Sequence, residues 1–400
     1  LKTFATIAVV GTSLAGLRAI EALRRAGYEG RICAIGEEPW MPYDRPPLSK
    51  QFLKGEWDAD KIVLRHQLGD DKRVEWLLDR RVTSLDTEAK RLAFADGETL
   101  EYDGLIIATG ARARKFPNAP DLDGMFVLRT LADAESLRHA LESNPRVVVV
   151  GAGFIGMEVA ASCRERGLEV TVVEFLDTPL VRGLGRVLGE YVAGVFRARG
   201  VDLRCGVGVK RFIGSERVEA LELEDGSQIE ADVVVVGIGA TPATEWLESS
   251  GLALDNGVLC DESCATLAPD VVVAGDVARW RDPRTGLPTR VEHWTNAAEQ
   301  SVHAAKRLLL GEEVGPFEHV PYVWSDQFDL RIQIAGEVRD GDEMQIGLGS
   351  LEAGRCLVLF GREGKLTGAV GFKRARQLNE FRDLIGEGIS WEDAVARLDA

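Results

Sequence analysis

Residues 147–174 read VVVVGAGFIGMEVAASCRERGLEVTVVE, and no other stretch limits the fold of this chain as strongly. Four consecutive valines, Val147–Val150, predict a strand buried on both faces, because a strand with one wet face alternates apolar and polar residues. Gly151, Gly153 and Gly156 follow in G-x-G-x-x-G spacing. The first permits a tight turn, the second lets a pyrophosphate approach the backbone, and the third lets the next helix pack closely on the strand. A helix over 157–166 is ended by Gly167, and a β-branched run over 170–173 leads to Glu174, where a carboxylate can accept hydrogen bonds from an adenosine ribose. A lone glycine fingerprint is weak; strand, glycines, helix, strand and terminal acid in that order point to a dinucleotide site.

The N-terminus repeats the pattern. A buried strand over 7–10 runs into Gly11-Thr12-Ser13-Leu14-Ala15-Gly16, with Ser13 where the second glycine normally stands. A helix over 17–25 ends at Gly27, a strand covers 31–35, and Glu37 falls near the ribose-binding position. A nicotinamide enzyme needs one such site; two suggest a flavin nucleotide in one and NAD(P)H in the other.

Length and composition agree with this. A chain of 400 residues has room for two or three domains, and 43 glycines with 45% hydrophobic residues suit an α/β protein rich in tight turns. With 48 basic and 64 acidic residues the net charge is −16, which opposes nucleic-acid binding. No apolar run approaches membrane-spanning length, and the first residues lead into a strand without a signal-peptide pattern, so no membrane association and a cytoplasmic location are expected. Of the cysteines at 33, 163, 205, 260, 264 and 356, only Cys260 and Cys264 are close, in neither a redox nor a common zinc spacing. The five histidines form no ligand pair, so no metal site is expected.

Further along, Pro42-Tyr43-Asp44-Arg45-Pro46-Pro47-Leu48-Ser49-Lys50 predicts an ordered loop, since each proline presets its own φ and restrains its predecessor. Lys50 either stabilises the anion formed when a flavin takes two electrons, or is a surface cation starting a helix over 50–54. Arg129, before a helix over 133–142, is either a pyrophosphate partner or half of a surface ion pair. A helix is predicted over 187–199, a hairpin around Glu224-Asp225-Gly226, and an apolar strand over 232–237 followed by Gly239. The run 271–276 delivers Asp276 at the carboxyl end of a strand, the edge where open parallel sheets bind ligands. After a helix over 296–310, alternating short strands predict a separate antiparallel domain of about ninety residues, with Trp324 near its start as a core residue on spacing alone.

The two fingerprints, the Ala108-Thr109-Gly110 turn and Gly275-Asp276 are joined by YDRPPLSK at 43–50, LRTLADA at 128–134 and WSDQ at 324–327. Together these resemble the FAD-dependent ferredoxin reductases of bacterial Rieske-type aromatic dioxygenases and class I cytochromes P450, over essentially the whole chain. The resemblance implies an FAD domain in two parts, 1–110 and 241–311, around an inserted NAD domain, 111–240, with a C-terminal α+β domain over 312–400. It implies FAD along Gly11, Ser13, Ala15, Gly16 and Glu37, with Val82 beside the adenine, Lys50 and Trp294 at the flavin, Arg129 on the nucleotide and Asp276 on the ribityl chain. NADH is implied on Gly151, Gly153, Gly156 and Glu174, with Gly239 near the nicotinamide, and Trp324 between flavin and surface. The implied partner is a [2Fe-2S] ferredoxin, Rieske-type or four-cysteine. This chain lacks cluster-ligand spacing of its own, so the cluster belongs to that partner. Such ferredoxins are typically acidic, and Arg331, Lys373, Arg374 and Arg376 are the candidate docking cations. Two rivals share the fold: a disulfide or peroxide reductase, which needs a reactive cysteine that the 43–50 loop lacks, and an NADH-responsive binding flavoprotein like the apoptosis-inducing factors.

Overall fold

The computed structural model describes residues 2–398 and divides into two compact units. The first comprises Leu1–Asp44, Ile62–Arg112 and Thr241–His319; the second comprises Arg45–Lys61, Ala113–Ala240 and Val320–Ala400.

The first unit is built on a parallel sheet in the order Val271–Val273, Gly104–Ile107, Thr6–Val10, Arg31–Ile35, Val74–Leu77. Its inner strands are almost wholly apolar because both faces are covered, while Arg31 and Glu75 on the neighbouring edge stand exposed. Ile7, Val9, Ile32 and Ile106 pack under the helices Leu14–Arg25 and Trp294–Leu310, through Ile20, Leu23, Ala304 and Leu308. The alternate residues Ala8, Val10, Cys33 and Ile107 face a three-stranded antiparallel sheet, through Val82, Leu85, Leu92 and Phe94.

The second unit repeats the design with the order Asp202–Cys205, Val170–Glu174, Val147–Val150, Val233–Val236, Met125–Phe126, again all parallel. Val148, Val150 and Val234 face an antiparallel sheet containing Phe212 and Leu221. Val147, Val149 and Val172 face helices, which in turn meet Ile332, Val358, Val370 and Phe372 of a five-stranded antiparallel sheet over 322–372. The other side of that sheet is closed by the helix Ala375–Glu387, through Leu378, Phe381 and Leu384.

Several helix boundaries differ from the sequence expectation. Both fingerprint helices begin earlier, at Leu14 and Phe154, because Ser13 and Gly153 are their extended N-caps and Gly16 and Gly156 lie inside the first turn. Gly27 and Gly167, at φ 86° and 84°, end them as expected. The helix expected over 187–199 runs to Ala198 from a kink at Gly185 (φ 71°, ψ 170°), and a short helical turn from Val181, not expected from the sequence, precedes the kink. The helix expected over 133–142 spans Leu131–Ala140, since Thr130 and Asp133 form a capping box. No helix starts at Lys50: a 3-10 turn, Pro46–Ser49, precedes it, and 51–55 form turns closed by Lys54 N–H on the Lys50 carbonyl (2.9 Å).

Candidate functional site

In the first unit, every loop that follows a strand of the parallel sheet leaves from one edge, and this edge gathers Gly11, Ser13, Ala15, Gly16 and Asp276. Gly11 has φ 110°, and a Cβ there would stand 2.1 Å from the Ala108 carbonyl oxygen. A Cβ on Gly16 would stand 1.8 Å from the Gly11 carbonyl oxygen, so the turn and helix close on each other only as glycines. Ser13 keeps the backbone of its counterpart: φ −83°, ψ −160°, against −77° and −179° at Gly153, where an added Cβ meets nothing within 4 Å. The second fingerprint position therefore opens away from the protein, and a serine fits without moving the turn.

Asp276 lies in a 3-10 turn held by the Gly275 N–H on Gln300 Oε1 (2.9 Å), and a Cβ on Gly275 would approach the Ala15 Cβ to 3.1 Å. The loop carrying Asp276 is thus pressed against the first fingerprint helix. Trp294 opens the long helix, donates its Nε1–H to Asp44 Oδ1 (2.7 Å), and packs with Leu14, Ala15 and Ala108. Beside it, His293 Nδ1 is sealed from solvent without a hydrogen-bond partner; burial pushes this imidazole down to about 4, against the pull of Asp276. Glu37 is paired bidentately with Arg112, at 2.7 and 2.8 Å, a residue the sequence did not single out. Each carboxylate oxygen retains acceptor capacity beyond that fork. Val82 sits in the core with Leu85 and Phe94, 8% exposed.

In the second unit the same edge gathers Gly151, Gly153, Gly156, Glu174 and Gly239. Gly151 has φ 102° and a Cβ there would lie 2.5 Å from the Gly237 carbonyl oxygen; on Gly156 it would lie 2.1 Å from that of Gly151. Gly239, at φ 103°, has open space where a Cβ would be. Glu174 ends its strand and accepts the Ala152 N–H at Oε2 (2.6 Å) and the Leu176 N–H at Oε1 (2.9 Å), so the acid also fixes the glycine loop.

Lys50 is 7% exposed, which excludes the surface-cation alternative. Its Nζ donates to Glu158 Oε2 (2.7 Å), which also accepts from Ser49 Oγ (2.5 Å), while Ser325 Oγ donates to Glu158 Oε1 (2.7 Å) and accepts from Gln327 Nε2 (3.0 Å). Ser162 Oγ donates to the Ser49 carbonyl (2.7 Å), tying the proline loop to the second fingerprint helix. Glu158 was missed in the sequence; as the one acid in the apolar run FIGMEVAASC it carried the signal that could have found it. Ser325 faces Glu158, so strand alternation turns Trp324 to the opposite face, where its ring lies 6.3 Å from that of Tyr322. Arg129 also belongs to this unit; its N–H donates to Asp133 and its carbonyl accepts from Arg45 Nη1 (2.6 Å).

All six thiols are free. Burial raises every one: Cys205 to about 11, Cys163 to about 12, and Cys33, Cys260, Cys264 and Cys356 also upward. None is poised as a thiolate nucleophile. Among the described residues no cluster of three or more His, Cys, Asp or Glu could hold a metal, and no helix is long and apolar enough to cross a membrane.

Two parallel sheets, each opening through a glycine fingerprint onto a helix N-terminus, define a two-nucleotide flavoprotein oxidoreductase in class. Residues 5–301 match the family described as pyridine nucleotide-disulphide oxidoreductase, and residues 322–399 match the reductase C-terminal family. The chain belongs to the pyridine nucleotide-disulphide oxidoreductase family, which implies FAD and NAD(P) binding. It is 38% identical to rhodocoxin reductase of Rhodococcus erythropolis over 355 residues, covering 87% of this chain and 82% of that one. It is 37% identical to the biphenyl dioxygenase system ferredoxin–NAD(+) reductase component of Paraburkholderia xenovorans (strain LB400), covering 96% and 94%. The structure of the covalent putidaredoxin reductase–putidaredoxin complex superposes with a TM-score of 0.92 at 30% identity, over 99% of both chains.

Proposed function

We propose that this protein is an NADH-dependent, FAD-containing ferredoxin reductase of the cytoplasm, passing electrons to a [2Fe-2S] ferredoxin that feeds a Rieske-type dioxygenase or a cytochrome P450. The observation that carries this reading is end-to-end correspondence with such reductases, including the C-terminal family over 322–399. The six proton-retaining thiols argue against a disulfide or peroxide reductase, whose chemistry needs a thiolate.

The residues fit both nucleotides. We assign FAD to the edge of the first unit and NADH to that of the second, with segments 1–110 and 241–311 forming the FAD domain, 111–240 the NAD domain and 312–400 the C-terminal domain. The helices Leu14–Arg25 and Phe154–Glu165 have no side-chain N-cap bond and offer the positive end of their dipoles to a pyrophosphate. Glu37 and Glu174 accept from ribose hydroxyls, and Asp276 accepts from the ribityl chain. Bound FAD supplies the conversion of hydride transfer into single-electron steps. Lys50, held in place by Glu158, would supply a fixed positive charge to a reduced flavin. We assign Val82 to the adenine side of FAD, Trp294 and Arg129 to the flavin nucleotide, Gly239 to the nicotinamide, and Trp324 to the path towards the ferredoxin.

NADH is favoured over NADPH because Glu174 stands where a 2′-phosphate would lie. Lost hydrogen bonds and like-charge repulsion together cost about 2 to 4 kcal/mol, or between one and three decades in kcat/KM. The test is cytochrome c reduction with NADH or NADPH, with and without added ferredoxin. Strong ferredoxin dependence and a clear NADH preference are expected. Turnover indifferent to ferredoxin would instead support a binding flavoprotein, and equal use of NADPH would remove Glu174 from the ribose.

A further inference from the structure

Phe175 follows Glu174 directly and is 69% exposed; among the described residues no other Phe, Tyr or Trp is as exposed. A single apolar side chain on a surface is ordinary and carries no meaning alone. What distinguishes this one is its support. The Glu174 carbonyl accepts the Val207 N–H (3.2 Å), the Leu176 carbonyl accepts the Gly206 N–H (3.0 Å), and the Leu176 N–H is bound by the Glu174 carboxylate (2.9 Å). That carboxylate is in turn bonded to Ala152 N–H in the glycine loop (2.6 Å). The backbone on both sides of the ring is fixed, yet the ring itself is held out in water. It stands at the carboxyl edge of the parallel sheet, one residue beyond the acid assigned to the adenosine ribose.

We infer that Phe175 is the stacking platform for the adenine of the nicotinamide cofactor, and so a residue that sets affinity for the adenosine half. This rests on the reading of Gly151–Glu174 as the nicotinamide-nucleotide site. An adenine joined to a ribose that Glu174 holds must lie within one sugar's reach of the strand end, and its flat, weakly hydrated face matches an exposed aromatic ring. Stacking on a ring whose backbone is already ordered avoids much of the entropic cost of binding. It contributes nothing to hydride transfer once the cofactor is bound, so its effect falls on KM and leaves kcat alone.

The experiment uses the FAD-loaded enzyme. Binding of ADP-ribose is measured by titration calorimetry, and kinetics are measured with ferricyanide as acceptor using either NADH or reduced nicotinamide mononucleotide, which lacks the adenosine. For Phe175→Ala, ADP-ribose binding weakens and the KM for NADH rises by roughly five- to 150-fold, the range expected for one base stacked on one aromatic ring. The kcat with NADH and both constants with the mononucleotide stay at the wild-type values, and Phe175→Trp restores ADP-ribose affinity. Wild-type affinity for ADP-ribose in Phe175→Ala overturns the inference, as does an equal loss with the mononucleotide. Failure of the wild-type protein itself to bind ADP-ribose overturns the assignment of the site together with it.

Discussion

Glu158 interrupts nine apolar or small residues over 154–163, and its carboxylate gathers Lys50, Ser49 and Ser325. Removing it leaves a buried ammonium without its counter-ion and two hydroxyls without their acceptor. Breaking a buried pair from one side costs about 3 to 5 kcal/mol, so Glu158→Ala should lower the urea midpoint steeply. Lys50→Met combined with Glu158→Leu should recover most of the loss; a single variant as stable as wild type would show that the pair contributes little. Lys50 was singled out because it ends a loop of three prolines, with its role left open until the resemblance, whereas its partner lies 108 residues away, a separation that no local pattern bridges. Arg112 escaped for the same reason: its bond to Glu37 spans 75 residues. His293 gives a prediction with a sign. Its folded pKa of about 4 lies below the ordinary 6.5, so it folds neutral, with Asp276 favouring its protonation and His319 opposing it. The stability this contributes is complete above pH 6.5 and is lost as pH falls towards 4, because only the unfolded chain takes up the proton in that window. The loss amounts to no more than about 3 kcal/mol. His293→Gln should flatten the fall in unfolding free energy between pH 7 and 4.5; identical slopes in variant and wild type would assign the pH response elsewhere.

At the scale of elements, the parallel strands were the most legible part of the chain, because burial on both faces leaves an uninterrupted apolar run such as Val147–Val150. Helix starts were less so. The third glycine of a fingerprint looks like a boundary in sequence, yet it is a packing residue inside the first turn, as Gly156 shows by its approach to Gly151. This separates the roles of glycines that look alike. Gly156→Ala forces a Cβ to 2.1 Å from a backbone oxygen that cannot retreat without opening the turn. It should cost about 3 kcal/mol or more, since overpacking against backbone exceeds the usual 1 to 3 of a core insertion. Gly153→Ser meets open space and copies what Ser13 already does at the first fingerprint, so its thermal midpoint should match wild type while its affinity for NADH falls. Equal midpoints for the two variants would mean that the helix can move away from its strand more easily than the contact distances imply. The helical turn ahead of Gly185 was not legible, because a glycine carries no sign of the φ it adopts.

For the molecule as a whole, the sequence reading of two nucleotide-binding repeats and an antiparallel C-terminal part agrees with the sheets observed, but the grouping of Arg45–Lys61 with the second unit could not be read from it. The stretch Arg45–Lys61 groups with the second unit because Leu53, fully buried, packs among Leu137, Val147 and other residues of its core. Long-range register also brings together the candidate docking charges. Ile332 pairs with Phe372 at the end of their ladder, so Arg331 and Lys373, forty-two positions apart in the chain, both lie at that end of the sheet. Arg331 is 54% exposed with Asp326 at 3.6 Å, and Arg376 is 88% exposed with Glu380 at 3.3 Å. Arg374 instead turns inward to the Leu348 carbonyl, which removes it from the candidate docking charges. Exposed pairs of this kind are worth about 0 to 1 kcal/mol and are easily exchanged for a partner's carboxylates. On a chain of net charge −16, approach of an acidic ferredoxin is repelled everywhere except at such a patch, so its encounter rate depends on a local field that salt screens within about 10 Å at 0.1 M. Ferredoxin reduction should therefore slow by about ten-fold between low and moderate salt, while NADH-to-ferricyanide turnover changes little. Arg331→Glu with Lys373→Glu should reproduce that loss at low salt and abolish most of the remaining salt dependence. Parallel salt curves for the two acceptors, or a charge-reversed variant that still reduces ferredoxin at the wild-type rate, would move the docking surface away from this end of the sheet.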